Sequence, residues 1–430
     1  MFTPQRLDRA LSQLPDSAAT ASFLERPESD QSSRDETRRR AALGAYLVAR
    51  LIERVVEQRD GAEPPDGLHW QRDSTLHYLQ DLPTGDAESA HLGRIVRAVE
   101  PRPRQRLTGI RIALHDYAAW LEHEGRLREA LETLRLTAST WLGAIPPAEF
   151  AALALFAGRI NRELHRWDYA DESFAAALEA AADCGDQAAH LRARLGAAGV
   201  MRARGDLCRA RQEVEWVIAA AEGHGHLRAV LGLAYADLGA VLARSGRPVE
   251  AVRALYDAYH RMPDPIQRLR IMGELGVGLA ELGANDAARL AFGLVTESRI
   301  GVLVRAAAAM ELMDLASAER DRVGFERHRA AVRELAPRMP AEVAVDFGFR
   351  TALGFARFGQ FARSREIWCE TRALASANGL HEWHRTIEHV LRGLDGCRAN
   401  GITRPAPAQP SPEVVALADA LRSLATAAGA

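Results

Sequence analysis

The sequence predicts an all-α protein, a solenoid of stacked helical hairpins, and three observations carry that expectation. Apolar residues recur at three- and four-residue spacing through almost every segment from about 107 to 395, the period of a helix with one buried face. Ala and Leu dominate there and alternating strand patterns are missing, so propensity favours helix as well. Breaks at Gly125, His165, Gly205, Gly246, Gly283 and Gly359 are separated by 40, 40, 41, 37 and 76 residues, the last being about two periods of 38. A recurrence of that length marks a supersecondary unit that buries its apolar side only by stacking on its neighbours.

Taken in order, residues 1–34 read as a flexible N-terminal segment: Pro4 to Leu14 can form one short amphipathic helix, and Ser29–Ser33 has the composition of disorder. Residues 35–106 read as a helical N-terminal cap or divergent repeats. A helix starts near Asp35 and runs through Leu43, Tyr46, Leu51 and Val55; Asp60–Gly67 is a loop; two more helices lie near Trp70–Leu82 and Ala87–Val99. Pro101–Arg106 breaks the pattern, and the repeats occupy 107–395. Residues 396–410 form a Pro-rich linker, extended and semi-rigid. Residues 411–430 form a C-terminal amphipathic helix, with Ser411 as N-cap, Pro412 at the first helical position, and Val414, Leu417, Ala418, Leu421, Leu424 and Ala425 on one face. A helix this short is marginal alone. It is therefore expected to dock, either as a cap on the last repeat or in a groove or on another subunit.

The repeat register can be followed residue by residue. Tyr235, Leu238, Gly239 and Leu242 are followed by Gly246, Ala251, Leu255 and Pro263. The next unit has Met272, Leu275, Gly276, Leu279, Gly283, Ala288 and Phe292 at the same offsets. Earlier units give Leu121, Gly125, Ala130 and Leu134, then Gly158, Ala170 and Phe174, then Met201, Gly205, Ala210 and Val214. Phe355, Gly359, Ser364 and Trp368 keep the frame near the end, and the unit around Met313 to Phe325 is degenerate. A small residue on each helix permits close approach, large residues beside it fill the gap, and Gly at the turn supplies the positive φ that ends the first helix.

Over roughly 107–395 this pattern resembles the tetratricopeptide repeat family, in its long-helix variant, since units of about 40 residues exceed the common 34. Such variants occur in peptide-sensing bacterial regulators and motor-protein light chains. A generic all-helical repeat of another type, such as HEAT, is the competing expectation. The resemblance implies a right-handed superhelix whose ligands lie along the first helices of successive repeats. The matching positions give His115, Glu122 and His123, then Arg159, Arg162 and Glu163, then Arg192 and Arg202, then Arg244, then Arg270 and Glu281. His115, Arg159, Arg162, Arg192, Arg202, Arg244 and Arg270 are the candidate partner-binding residues. The Arg forks suit an acidic or extended peptide segment. The bland alternative is that helix surfaces of an Arg-rich chain simply carry Arg. Chaperone-binding members of the family clamp a terminal carboxylate with Lys and Asn. This chain has no Lys, and Asn161 falls on a packing position, which argues against that clamp.

Composition bounds the rest. The 430-residue chain is 47% hydrophobic, and its 55 cations against 57 acids leave a net charge of -2. No global field draws it to nucleic acid or a membrane. All 55 cations are Arg, which excludes P-loop, Schiff-base and kinase-type lysine chemistry. Asn is scarce and Ala, Arg and Gly abundant, as codon bias in a GC-rich bacterial genome would give. Cys184, Cys208, Cys369 and Cys397 form no CxxC pair and read as packing thiols of a reducing compartment. No signal-peptide pattern and no apolar run of bilayer-spanning length is read, so a cytoplasmic location is expected.

Catalytic signatures are missing: no GxSxG, no phosphate-binding loop, no HExxH, no DxDxDG. Gly273–Gly278 (GELGVG) sits inside a well-matched helix and reads as close packing. His381 and His384 lie one helical turn apart, but His389 is turned away by over 100°, so no metal site is expected. Glu122 with Glu124 and Glu382 with Glu388 fall on different faces. The expectation is a non-enzymatic scaffold or adaptor without cofactors, binding another protein or peptide. The alternative is a peptide- or metabolite-sensing regulatory repeat protein of a bacterial signalling system.

Overall fold

In the computed structural model, residues 2–3, 7, 11, 35–57, 66–82, 87–99, 103–141, 143–298, 301–336, 339–397 and 411–428 are described. The Pro-rich linker and most of the first 34 residues lie outside them. Among the described residues there are α-helices, short 3₁₀ turns such as Gly225–Leu227, and no strand. The chain divides into two compact units, Met1–Arg204 and Gly205–Ala430.

The first unit holds α1 (Asp35–Glu57), α2 (Asp66–Gln80), α3 (Ala87–Ala98), α4 (Pro103–His123), α5 (Leu127–Ser139), α6 (Pro147–Glu163), α7 (Trp167–Cys184) and α8 (Gln187–Ala203). Helices α1–α3 pack on one another, and α3 and α1 pass that bundle on to α4 and α5. From there each helix packs on its neighbour in the chain, α6 on α7 and α7 on α8, with α8 also reaching back to α6. The start of the chain joins this core: Phe2, Leu7 and Leu11 are buried, and the Phe2 ring lies 4.7 Å from Phe150. Helix α3 is locked to the repeats by a buried polar cluster. Arg126 reaches Glu88 at 2.7 Å and forks to Glu129, while Tyr117 donates its hydroxyl to Glu88 at 2.8 Å. Burial, together with the neighbouring Glu88 carboxylate, pushes the Tyr117 phenol well above its ordinary value, so it stays a donor.

The second unit holds α9 (Leu207–Ala221), α10 (Arg228–Arg244), α11 (Pro248–Arg261), α12 (Pro265–Glu281), α13 (Asn285–Glu297), α14 (Val302–Ala318), α15 (Arg322–Leu335), α16 (Ala341–Arg357), α17 (Phe361–Ala377), α18 (His381–Cys397) and α19 (Pro412–Ala428). Helices α9 to α18 pack in chain order, and the first helices α12, α14 and α16 also touch in succession. Asp264 and Asp321 cap their helices by accepting from the N–H of Gln267 and Gly324. One expectation is corrected here. The helical stretch Gly225–Arg244 is long and apolar enough to cross a membrane, with a mean hydropathy of 1.3. Its Ala, Leu and Val content serves packing: α10 lies against α9 and α11, with Val230, Ala234, Val241 and Leu242 buried.

The predicted breaks coincide with left-handed turns. Gly125, His165, Gly205, Gly246, Gly283 and Gly359 all have positive φ, and so does Arg320. Arg320 is the turn between α14 and α15, so the double interval between Gly283 and Gly359 holds two ordinary units. Small residues meet large ones as the spacing requires. A Cβ added at Gly158, Gly239 or Gly276 would come within 2.7 Å of Phe174, Leu255 or Phe292 respectively. In the degenerate unit the relation is transposed: Met313 and Phe325 are both fully buried, and the small residue facing the Phe325 ring is Gly354 on α16.

Candidate functional site

In the first unit, successive first helices α4, α6 and α8 bring four sequence-selected residues into a connected arrangement. Glu122, 5% exposed at the end of α4, accepts from Arg159 on α6 through both carboxylate oxygens, Arg159 Nη2 to Oε2 at 2.8 Å and Nε to Oε1. The same guanidinium lies 4.6 Å from the centroid of the buried Phe156 ring, one turn earlier on α6. His115 of α4, exposed, sets its ring edge-on to Phe156 with centroids 5.4 Å apart. Arg162 lies on the backbone of α8, its Nη1 2.6 Å from where a Cβ at Gly199 would stand.

The other candidates are placed singly. Arg192 is exposed near the start of α8 and makes no ion pair with a described residue. Arg202 is half-buried, with its Nε lacking a hydrogen-bond partner among the described residues. In the second unit, Arg244 is exposed at the end of α10 with no ion-pair partner among the described residues. Arg270 is half-buried on α12, and its Nε is likewise unpartnered.

Sequence reasoning missed the partners that orient these cations. Phe156 is invisible as a platform because buried aromatics on a helix read as core. Glu122 was selected as a groove acid, not as the fork for an Arg one repeat on. The second unit repeats the device between α14 and α16: Arg350 reaches Glu311 at 2.8 Å and Asp346 at 2.9 Å, and Arg357 reaches Asp314 at 2.5 Å and Ser317 Oγ at 2.7 Å. The available signal was an acid and an Arg separated by about one repeat, 37 residues for Glu122 and Arg159 and 43 for Asp314 and Arg357. Burial pushes the Glu311 carboxyl up against the opposing pull of Arg350, so this pair is held in a poorly solvated position.

Within Gly273–Gly278, close packing accounts for Gly276, which faces Phe292, and Gly278, which faces Val252, while a Cβ at Gly273 would meet nothing within 4 Å. Glu388 lies 3.8 Å from Arg372. Among the described residues, no group of three His, Cys, Asp or Glu side chains could hold a metal ion. The first-helix face of the first unit offers instead an oriented guanidinium on an aromatic support, an exposed imidazole beside it, and the exposed side chain of Ile112 one turn before His115.

No protein-family model matches the sequence, and no curated protein matches it. Solved structures with a similar chain trace include a Rap protein complexed with competence and sporulation factor, at 11% identity and a TM-score of 0.43, covering 85% of this chain and 99% of that one. The Rap conjugation gene regulator of the plasmid pLS20, in complex with the Phr* peptide, gives 13% identity and 0.49 over 84% and 99%. NprR in complex with its cognate peptide NprX gives 11% and 0.45 over 83% and 97%.

Proposed function

We propose that this protein is a non-catalytic interaction protein of the tetratricopeptide kind, which holds an extended peptide segment of a partner along the first-helix face of its first unit. The observation that carries this is the setting of Arg159. A guanidinium forked to a buried carboxylate and laid on an aromatic ring has lost its rotamer freedom before any ligand arrives. Its outer edge can donate to a peptide carbonyl or carboxylate at little further entropic cost. Glu122 neutralises Arg159, so Arg159 serves as an oriented donor. Net positive charge for an acidic segment comes from Arg162, Arg192 and Arg202, none of which makes an ion pair with a described residue. His115 and Ile112 supply a polar and an apolar contact at the same face.

Affinity capture from the native host, followed by mapping of the bound segment on synthetic peptides, tests the reading. The mapped peptide is expected to lose at least about tenfold in affinity, roughly 1.4 kcal/mol, with Arg192→Glu. It should lose a similar amount with the paired change Arg159→Gln and Glu122→Gln, which removes the fork without stranding a charge. Both variants should keep wild-type helicity. Unaltered capture by both would refute the assignment of this face.

A further inference from the structure

In the second unit the C-terminal helix fills its own seat: α19 packs on α13 and α11, with Val414, Ala418 and Leu421 buried. Open chemistry lies in the first unit, between α6 and α8. Helix α8 carries Arg192, Arg194 and Arg202 and no acid along its 17 residues. Arg162 of α6 comes down on this helix at Gly199. Its Nη1, Cδ and Cζ lie 2.6, 3.4 and 3.6 Å from where a Cβ would stand. Arg202 is three residues further along α8, on the same face as Gly199. A helical side chain leans back over the turn before its own Cα, so Arg202 covers the same patch. Its Nε is shielded from solvent and has no hydrogen-bond partner among the described residues.

Neither guanidinium makes an ion pair with a described residue. Glu163 follows Arg162 in sequence but is turned about 100° around α6. Elsewhere on first helices, Arg159 is forked by Glu122, Arg350 is held by Glu311 and Asp346, and Arg357 by Asp314. Two like charges on one patch without an acid repel each other and attract an anion. The local charge fixes which kind. Both Arg residues stand in the last turn of their helices, where each helix end contributes roughly half a negative charge. Two positive charges less two halves leave about one, which matches a carboxylate and falls short of a doubly charged phosphate. A carboxylate has two oxygens and accepts from both guanidiniums together.

We propose that Arg162 and Arg202 form a carboxylate site above Gly199, which anchors one acidic group of the peptide held on this face. The inference rests on the reading of the first-helix face as the ligand face, and it adds a register. The anchored group sits at the C-terminal ends of α6 and α8, and the segment continues past Arg159 towards α4. The carboxylate is either the peptide's own C-terminus or an Asp or Glu side chain.

The first probe is N-acetylglycine, a lone peptide carboxylate, with N-acetylglycinamide as its uncharged counterpart at equal ionic strength. Both are titrated into the full-length chain labelled at arginine nitrogen. The Nε–H signals of Arg162 and Arg202 are identified by their loss in Arg162→Gln and Arg202→Gln. Both signals should shift along one saturating curve with the acid and stay in place with the amide. Each Gln substitution should weaken the response of the remaining Arg by at least about tenfold. No saturable shift, or an unchanged curve for the remaining Arg in both variants, overturns the proposal. If a Gln variant does not fold, Lys at that position replaces it. Lys keeps the charge but loses the fork, so binding should weaken at least about threefold, and an unchanged constant overturns the proposal. The peptide mapped on this face then separates the two sources. Amidating its C-terminus, or exchanging one Asp or Glu for its amide, should cost wild type at least about tenfold and the Arg202→Gln chain under about twofold. Equal cost to both chains at every position overturns the anchoring. If no peptide binds this face, the functional reading falls, while the N-acetylglycine titration still decides the site.

Discussion

At the scale of single residues, the turns separate backbone cost from packing cost. Gly246 has φ +73 and nothing within 4 Å of where a Cβ would stand. Gly246→Ala should therefore cost about 1 kcal/mol purely through the left-handed backbone, read as a lower midpoint in urea with an unchanged slope. Arg320 occupies the same conformation with a full side chain whose guanidinium reaches the Arg357 carbonyl. Arg320→Gly should be neutral to stabilising by up to about 1 kcal/mol, because the strain relieved exceeds one exposed hydrogen bond. A clear loss of stability would show that the Arg357 contact outweighs the strain. Arg320 also explains what the sequence concealed: six turns announced themselves through Gly or the interval, and the seventh carried a residue with no intrinsic turn preference. A second residue-scale expectation concerns His91, stacked on Trp120 at 5.4 Å. Burial, then the adjacent Arg94, lowers its pKa from the ordinary 6.5. The folded state thus binds fewer protons than the unfolded one in the window below 6.5, and stability is lost as pH falls through it. The melting temperature of wild type relative to His91→Gln should drop between pH 7.5 and 5.5; a constant difference would show that His91 titrates alike in both states.

Among elements, the joint between the N-terminal bundle and the repeats is the sharpest case. Helices α3, α4 and α5 meet at Glu88, Tyr117, Arg126 and Glu129, and the Arg126 guanidinium touches both carboxylates. Arg126→Met keeps most of the volume but strands two acids in a poorly solvated site. It should cost about 3–5 kcal/mol, measured by chemical denaturation, and the loss should shrink when Glu88→Gln and Glu129→Gln are added. A loss under about 1 kcal/mol would mean that water reaches the site. Helix periodicity gave α3 and α5 their places in the sequence, and α4 all but its start, which lies at Pro103 inside the Pro101–Arg106 segment read as a break. It could not join them, because an ion pair between residues 38 apart leaves no periodic trace. The same limit governed the candidate site. The resemblance to tetratricopeptide repeats put Arg159 and His115 on the first-helix face, but their orientation depends on Glu122 and on a Phe156 ring that local pattern assigns to the core.

At the scale of the whole molecule, the missing lysines gain a structural meaning. Arg159, Arg350 and Arg357 each join first helices a repeat apart, Arg159 through two nitrogens on one carboxylate. The Arg159 contact uses the planar geometry that Lys lacks. Repeat order was legible because each unit packs on its chain neighbours, and the register of small and large residues encodes those contacts. The address of α19 was not legible. An amphipathic stripe specifies that a helix docks and by which face, while its seat is written in the second helices of α11 and α13, more than a hundred residues earlier. The connectivity makes a prediction about cooperativity within the second unit. A Cβ at Gly276 would press into the Phe292 ring of α13 at 2.7 Å, so Gly276→Ala should cost about 1–3 kcal/mol by overpacking. In a nearest-neighbour array that loss stays local. Amide exchange should accelerate in α12, α13 and α19 together, because α19 is seated on the damaged helix, while α17 and α18 keep their protection. Exchange in α19 that follows α18 instead would place the last helix with the end of the array and contradict the seat observed on α11 and α13.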